Sequence, residues 1–305
     1  MSYLPFTILA YLLNSIAVTI DKFLLAKSIP NPLSYVIYIS LFSLLILLAL
    51  PFTPIPNSYT LLLASVSTIL WTSGAYFMFA AIKIGQVSKV VPTIGTFVPL
   101  LLLIHAAIFS SISQTQLAAV AVLILGLITL NSHTLIRSYI CMGTNTSGEG
   151  TKPLLGGELL LGILSALLFA VSYLVLRQAY LESNFLTVLV YSRIILIPLI
   201  LSILVIPSLR KIVLSSNNHS VIQGGKKTGF LFLFGQALGG TQQLLLTYAI
   251  SLTSPALVNS LQGIQYVFLF LFSLWLFKEK YSFLILLSKL AGIGLLGVGL
   301  YLLVS

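Results

Sequence analysis

The sequence predicts an all-α membrane protein with ten transmembrane helices in two inverted five-helix repeats. Three observations carry this. The 305 residues are 58% hydrophobic and only 7% charged, with a mean hydropathy of +1.11. A soluble domain carries roughly 25% charged residues and could not hide so much apolar surface. Ten apolar segments reach the roughly 20 residues that a spanning helix needs. The two halves of the chain also match each other at constant offsets. Such a composition excludes a cytosolic globular enzyme and, for the opposite reason, a disordered chain.

Segment 1 (4–25) has neither the basic start nor the small-residue cleavage site of a signal peptide, so it reads as a retained helix. Segment 2 (33–51) starts after Pro30 and Pro32 and stops at Pro51, with Pro54 and Pro56 keeping the next residues out of helix before segment 3 (59–82). Segment 4 (87–109) carries Pro92 and Pro99; two lost backbone donors predict a kinked or partly unwound helix. Segment 5 (115–132) leads into a Gly/Ser/Thr-rich polar connector, 133–153. Segment 6 (154–176) and segment 7 (185–207, ending at Pro207) precede a basic, Ser/Asn-rich loop at 208–228. Segment 8 (229–250) is followed by segment 9 (255–277), where Pro255 suits the first turn because its missing N–H has no intrahelical partner there. Segment 10 (283–304) closes the chain. Lipid offers the backbone no hydrogen bonds, so these stretches are helical; the alternating pattern of a barrel is absent.

The connector splits the chain into a first repeat (1–132) and a second (154–305). At an offset of 153, Ala17-Val18-Thr19 faces Ala170-Val171-Ser172, Tyr38 faces Tyr191 and Pro54 faces Pro207. Beyond the third segment the offset becomes 168, where Ala81-Ile82 faces Ala249-Ile250, Gly95 faces Gly263 and Gly126 faces Gly294. The longer 208–228 loop accounts for the change of offset. An odd number of helices per repeat puts the halves in opposite orientations, a plan common in secondary transporters, whose substrate site lies between the halves near the bilayer midplane.

Polar side chains in hydrocarbon are costly and should face a cavity or a partner helix. Gln236, Gly239, Gly240, Gln243 and Thr247 share one face of segment 8. They form either a cavity wall or a packing seam, since Gly235 and Gly239 make a GxxxG pair. Asn259, Gln262 and Tyr266 share a face of segment 9, with Gln265 beside them. Thr93 and Thr96 accompany the prolines of segment 4, either as substrate contacts or as local partners of a static kink. Asn14 and Asp21 share a face of segment 1; an acid within a membrane helix is the group that proton coupling uses, although the adjacent Lys22 also fits a headgroup position. Thr72 and Tyr76 share a face of segment 3 beside Trp71, as an aromatic wall or as lipid contacts. Arg193 and Lys289 are the cations deepest within spans, so each serves as a counter-charge for an anionic or zwitterionic substrate or snorkels to the interface. His105 reads as a packing residue.

Pro255-Ala256, the run Leu261-Gln262-Gly263-Ile264-Gln265-Tyr266-Val267, the ending Trp275-Leu276-Phe277-Lys278-Glu279, and the glycines at 292, 294, 297 and 299 together resemble the EamA family of the drug/metabolite transporter superfamily. The resemblance covers nearly the whole chain. Arg193 stands where that family often has an arginine in the second helix of a repeat. Ser40 and Ser111 depart from the arginine and the acid expected in the first half. The resemblance implies a metabolite or drug transporter, commonly an exporter, working by alternating access.

Other functions fare worse. No acidic metal cluster, catalytic pair or phosphate-cradling Gly-Lys motif points to an intramembrane enzyme, and no nucleotide-binding motif points to a pump, so no cofactor is expected. A flippase for a lipid or lipid-linked sugar is the alternative. Fifteen Lys and Arg against five Asp and Glu give a net charge of +10. Twelve of those cations lie in or beside odd-numbered loops: Lys22, Lys27, Lys83, Lys89, Arg137, Lys152, Arg210, Lys211, Lys226, Lys227, Lys278 and Lys280. The excess is therefore a topology signal and not a nucleic-acid surface. The positive-inside rule puts those loops in the cytoplasm and both termini outside; the family resemblance implies termini inside. The expected partners are a small-molecule substrate and the lipid bilayer, and the short polar segments fit a prokaryotic plasma membrane.

Overall fold

A backbone amide in hydrocarbon finds its partner only within its own helix, and the computed structural model is helical nearly throughout. It describes residues 2–27, 31–84, 87–109, 113–143, 157–215, 225–275 and 283–304, and no strand occurs among them. The helices are α1 (Tyr3–Lys27), α2 (Pro32–Ser43) continued by a 3-10 stretch (Leu44–Phe52), α3 (Ser58–Ile84), α4 (Val87–Phe109), α5 (Gln114–Gly143), α6 (Gly157–Glu182), α7 (Phe185–Tyr191), α8 (Leu196–Val205), α9 (Pro207–Ser215), α10 (Gly225–Leu252), α11 (Pro255–Ser260), α12 (Gly263–Trp275) and α13 (Phe283–Val304).

The molecule is an all-helical membrane protein. Eight stretches are long and apolar enough to cross a bilayer: α1, α2 with its 3-10 stretch, α3, α4, α6, α7 with α8, α11 with α12, and α13. The two other segments expected from the sequence are also helical. The apolar run of α5, Gln114–Leu130, falls just short of that length, and α10 is interrupted by Gln236, Gln242 and Gln243. Large apolar side chains cover the outside; Leu48, Phe52, Ile55 and Val205 are 78%, 81%, 87% and 78% exposed. An apolar exterior over a packed interior is what a lipid solvent permits.

Three expectations change. Helix α5 continues to Gly143, well into the region read as a polar connector; residues 144–153 of that connector lie outside the described residues. The loop read at 208–228 holds α9 before residues 216–224, which are also outside the described set. The helix break falls in segment 9 and not in segment 4. Helix α4 runs unbroken through Pro92 and Pro99, whereas α11 and α12 are separated at Leu261 and Gln262 by 3-10-type bonds, such as Gln262 N–H to Asn259 O at 3.0 Å.

Capping shows why two of these helices begin where they do. Asn31 accepts from the backbone N–H groups of Leu33 and Ser34 at 3.0 and 3.4 Å, and Asn184 accepts from that of Thr187 at 2.9 Å. Each side chain satisfies donors that a helix start leaves without partners. The two caps are separated by the repeat offset of 153.

Close pairs of helices build the interior. Along α3 and α6, Ser67 and Ser172 each donate to the other's carbonyl, at 3.0 and 2.9 Å, and Ser165 donates to Gly74 O at 2.8 Å. Along α1 and α10, Gly235 lies so near Ile20 that a Cβ there would meet Ile20 Cγ2 at 2.8 Å. Helices α5 and α13 meet through Gly126, Gly292 and Gly299. Small residues permit such approach in a bilayer, where no hydrophobic force draws helices together. Arg177 of α6 caps the last turn of α10, donating to Ile250 O and Ser251 O at 3.1 and 2.5 Å.

Candidate functional site

Helices α1, α2 with its 3-10 stretch, α3, α4, α6, α7, α8, α10, α11 and α12 line a cavity of about 480 Å³, within the range of small-molecule sites. Its walls are mostly apolar and aromatic, with Tyr11, Phe42, Trp71, Phe169 and Tyr173 prominent. The polar groups are concentrated on α10, α11, α12 and the α7–α8 junction: Gln236, Gln242, Gln243, Asn259, Gln262, Gln265 and Arg193.

Residues matched by the sequence offsets differ in polarity here. Ser40 and Arg193, Ala75 and Gln243, Val91 and Asn259, and Ile94 and Gln262 are pairs at offsets of 153 or 168, and both members of every pair line the cavity. At these matched places the second half supplies the amides and the guanidinium. The first half supplies a hydroxyl and three apolar side chains.

Most cavity predictions coincide with this wall. Asn14, Asp21, Arg193, Gln236, Gln243, Asn259 and Gln262 line it. Asn14 also donates from Nδ2 to Gln265 Oε1 at 2.9 Å, joining α1 to α12. Asn259 donates to Pro255 O at 2.9 Å, which leaves its amide oxygen for another partner. Tyr35 Oη donates to Asp21 Oδ1, and the Gln236 amide reaches the same tyrosine hydroxyl. On α10 the two readings divide between neighbours: Gly235 packs on α1 while Gln236 and Gln243 face the cavity.

Arg193 sits in a turn. Its N–H donates to Val190 O at 3.1 Å and its carbonyl accepts from Leu196 N–H at 3.1 Å, so α7 and α8 are joined by 3-10 geometry where the guanidinium projects. Tyr180 of α6 lies close enough to it for electrostatic interaction. Among the described residues no carboxylate or carbonyl pairs with the guanidinium.

Five predicted site residues lie elsewhere. Tyr76 is 39% exposed with its ring 5.5 Å from that of Phe77, so it faces outward. Thr96 is turned into its own helix, donating to Pro92 O at 2.8 Å, and Thr93 is buried outside the cavity wall. Tyr266 is pinned across α4, donating to Val91 O at 2.7 Å. Lys289 lies over the Phe270 ring at 5.0 Å and away from the cavity. His105 packs on Phe109, ring centres 5.2 Å apart. Conversely, Tyr11, Phe169, Tyr173 and Gln242 line the cavity without having been singled out; Gln242 stands next to Gln243, off the face that helical spacing marked. Among the described residues no three His, Cys, Asp or Glu side chains gather into a metal-binding group.

Tyr266 makes Gly95 indispensable. Its hydroxyl lies where a Gly95 Cβ would fall, and the ring is stiff and 5% exposed. Gly95→Ala is expected to displace the ring and break its bond to Val91, costing about 1–3 kcal/mol. A lowered melting temperature in detergent, with Tyr266→Phe lowered less, is the measurable result.

No protein-family model matches the chain, and no curated protein does. A solved structure described as "Crystal structure of protein" is similar over 96% of this chain and 98% of its own, with a TM-score of 0.60 and 15% identity. That likeness shows a shared fold.

Proposed function

We propose that this protein is an EamA-like secondary transporter of a small metabolite or drug-like solute, an exporter of the plasma membrane working by alternating access. In this reading ten helices cross the bilayer as two inverted five-helix repeats and enclose the substrate at their interface. The observation that carries it is the central cavity, lined by both halves at positions related by the repeat offsets. Packing supports the same plan. If α1 corresponds to α6 and α3 to α10, then the seam of α3 with α6 and that of α1 with α10 are one contact made twice. The paired caps Asn31 and Asn184 fit it as well. Alternating access then amounts to one set of helices rocking against the other around the cavity.

Counterflow in proteoliposomes tests the reading: protein preloaded with a metabolite mixture should exchange a labelled component, and labelled lipid should not change leaflet faster than in empty vesicles. Lipid movement without solute exchange favours the flippase; hydrolase or transferase turnover by the purified protein overturns a purely transporting role. Within this reading Gln243→Leu removes one amide from the cavity wall while keeping a strong helix former. Transport is expected to fall about three- to tenfold, the worth of one net hydrogen bond, with the melting temperature nearly unchanged.

A further inference from the structure

Reading the cavity as a substrate site leaves the ligand's charge open, because the cavity holds both an acid and a cation. Their positions separate their roles. Asp21 lies beside Tyr35 and Gln236, near the middle of α10. Arg193 lies beside Tyr180, which neighbours Thr247 near the C-terminal end of α10. Gln236 and Thr247 are eleven residues apart, about 16 Å at 1.5 Å per residue. The acid and the cation are therefore partnered about three helical turns apart along α10. The acid also has a donor already in Tyr35, whereas the guanidinium has no ion-pair or carbonyl partner among the described residues. A bare guanidinium in a largely apolar cavity is costly and is relieved by a bound anion. The same cavity carries apolar first-half side chains, among them Ala75, Val91, Ile94 and the Trp71 ring, with Ser40 the polar exception at the position matched to Arg193.

We infer that the transported solute is a small organic anion: a carboxylate, or a group of the same fork geometry, held by Arg193, on an apolar body of about one aromatic ring that lies against the first-half wall. The cavity amides meet polar atoms near the head group. The guanidinium fork suits a carboxylate through two parallel hydrogen bonds. The inference rests on the transporter reading for its consequence, but the ligand class is read by binding alone.

The test uses the full chain in phosphatidylcholine nanodiscs and four probes that share one phenyl body: 3-phenylpropionate, 3-phenylpropanamide, 3-phenylpropylamine and phenylalanine. A ligand that binds the folded state raises its melting temperature. The anion is expected to raise it, and the amide, amine and zwitterion to leave it unchanged. Arg193→Gln should weaken binding of the anion about ten- to hundredfold, with Arg193→Lys between, since it keeps the charge and loses the fork. The inference is overturned if the amide, amine or zwitterion stabilises as well as the anion, or if Arg193→Gln binds the anion as tightly as the wild type. Should Arg193→Gln not fold, the wild-type series and Arg193→Lys still decide. Loss of the effect in phosphatidylglycerol nanodiscs would put a lipid headgroup at Arg193 and likewise overturn it. Anion binding without flux in proteoliposomes upholds the ligand class and sinks the transporter reading; flux of a neutral or cationic solute without anion binding does the reverse.

Discussion

Gly292→Val is expected to cost this protein more stability than any single change in the cavity. A Cβ at residue 292 would meet the N, Cα and Cβ atoms of Leu130 at 2.7, 2.8 and 2.8 Å. Two of those three are backbone atoms of α5, so nothing can swing aside; the helices must separate along the seam. The damage would spread, because Gly126 and Gly299 hold the same two helices together, with would-be contacts of 2.9 Å to Leu296 N and 2.6 Å to Leu123 Cγ. Over-packing costs about 1–3 kcal/mol when a side chain can adjust, and more when it cannot. Gly294 and Gly297 supply the control on the same helix, since a Cβ at either meets nothing within 4 Å. Thermal unfolding in detergent should show Gly292→Val melting well below wild type, with Gly294→Ala and Gly297→Ala at or slightly above it, as expected when glycine leaves a helix interior. Equal melting of Gly292→Val and Gly294→Ala would mean that α5 and α13 do not meet through glycine.

Much of this architecture was legible because the bilayer leaves few choices. A run of apolar residues long enough to span must be helical, and Pro207 and Pro255 open α9 and α11, whereas Pro51 lies within a 3-10 stretch that ends at Phe52. The cavity wall was legible only where cost and period agreed. Gln236, Gln243, Asn259 and Gln262 are too polar to face lipid, and helical spacing placed them on common faces. The same reasoning failed at Tyr266, Thr96 and Lys289, because each found a partner that no sequence shows: the carbonyl of Val91, the carbonyl of Pro92 and the ring of Phe270. Which way a polar side chain faces depends on the rotation of its helix against its neighbours, and that is set by packing. The helix break was misplaced for a related reason. Proline removes a donor, but α4 is held between α5, α6 and α11 and stays helical. In segment 9 the Asn259 side chain donates to Pro255 O, in competition with the backbone, and Gly263 follows closely. The turn opens between them.

On the transporter reading proposed above, Asp21→Asn is expected to abolish coupling without unfolding the protein. The carboxyl stands where α1, α2 and α10 meet: Tyr35 of α2 donates to it, and Gln236 of α10 reaches the same hydroxyl. The Tyr35 ring is itself wedged edge-on against Phe79 at 4.8 Å and Phe232 at 6.4 Å, so its hydroxyl is held in place. These helices come from both halves, whose relative motion alternating access requires. A carboxyl that gains or loses a proton there changes what Tyr35 and Gln236 can bond to, and so biases one arrangement of the halves over the other. Asparagine keeps an oxygen to accept from Tyr35, which preserves the local geometry, but it cannot carry a proton. Proteoliposomes separate these effects. Asp21→Asn should lose accumulation driven by a pH gradient while counterflow exchange, which needs no driving ion, continues. Tyr35→Phe should also weaken gradient-driven transport, because it removes the hydroxyl that links Asp21 to Gln236, and unlike Asp21→Asn it should lower the melting temperature, by the equivalent of about 1.5–3 kcal/mol, the net worth of a hydrogen bond to a charged group. If Asp21→Asn accumulates substrate against a gradient as the wild type does, the acid is a structural partner of Tyr35, and the coupling group lies elsewhere in the cavity.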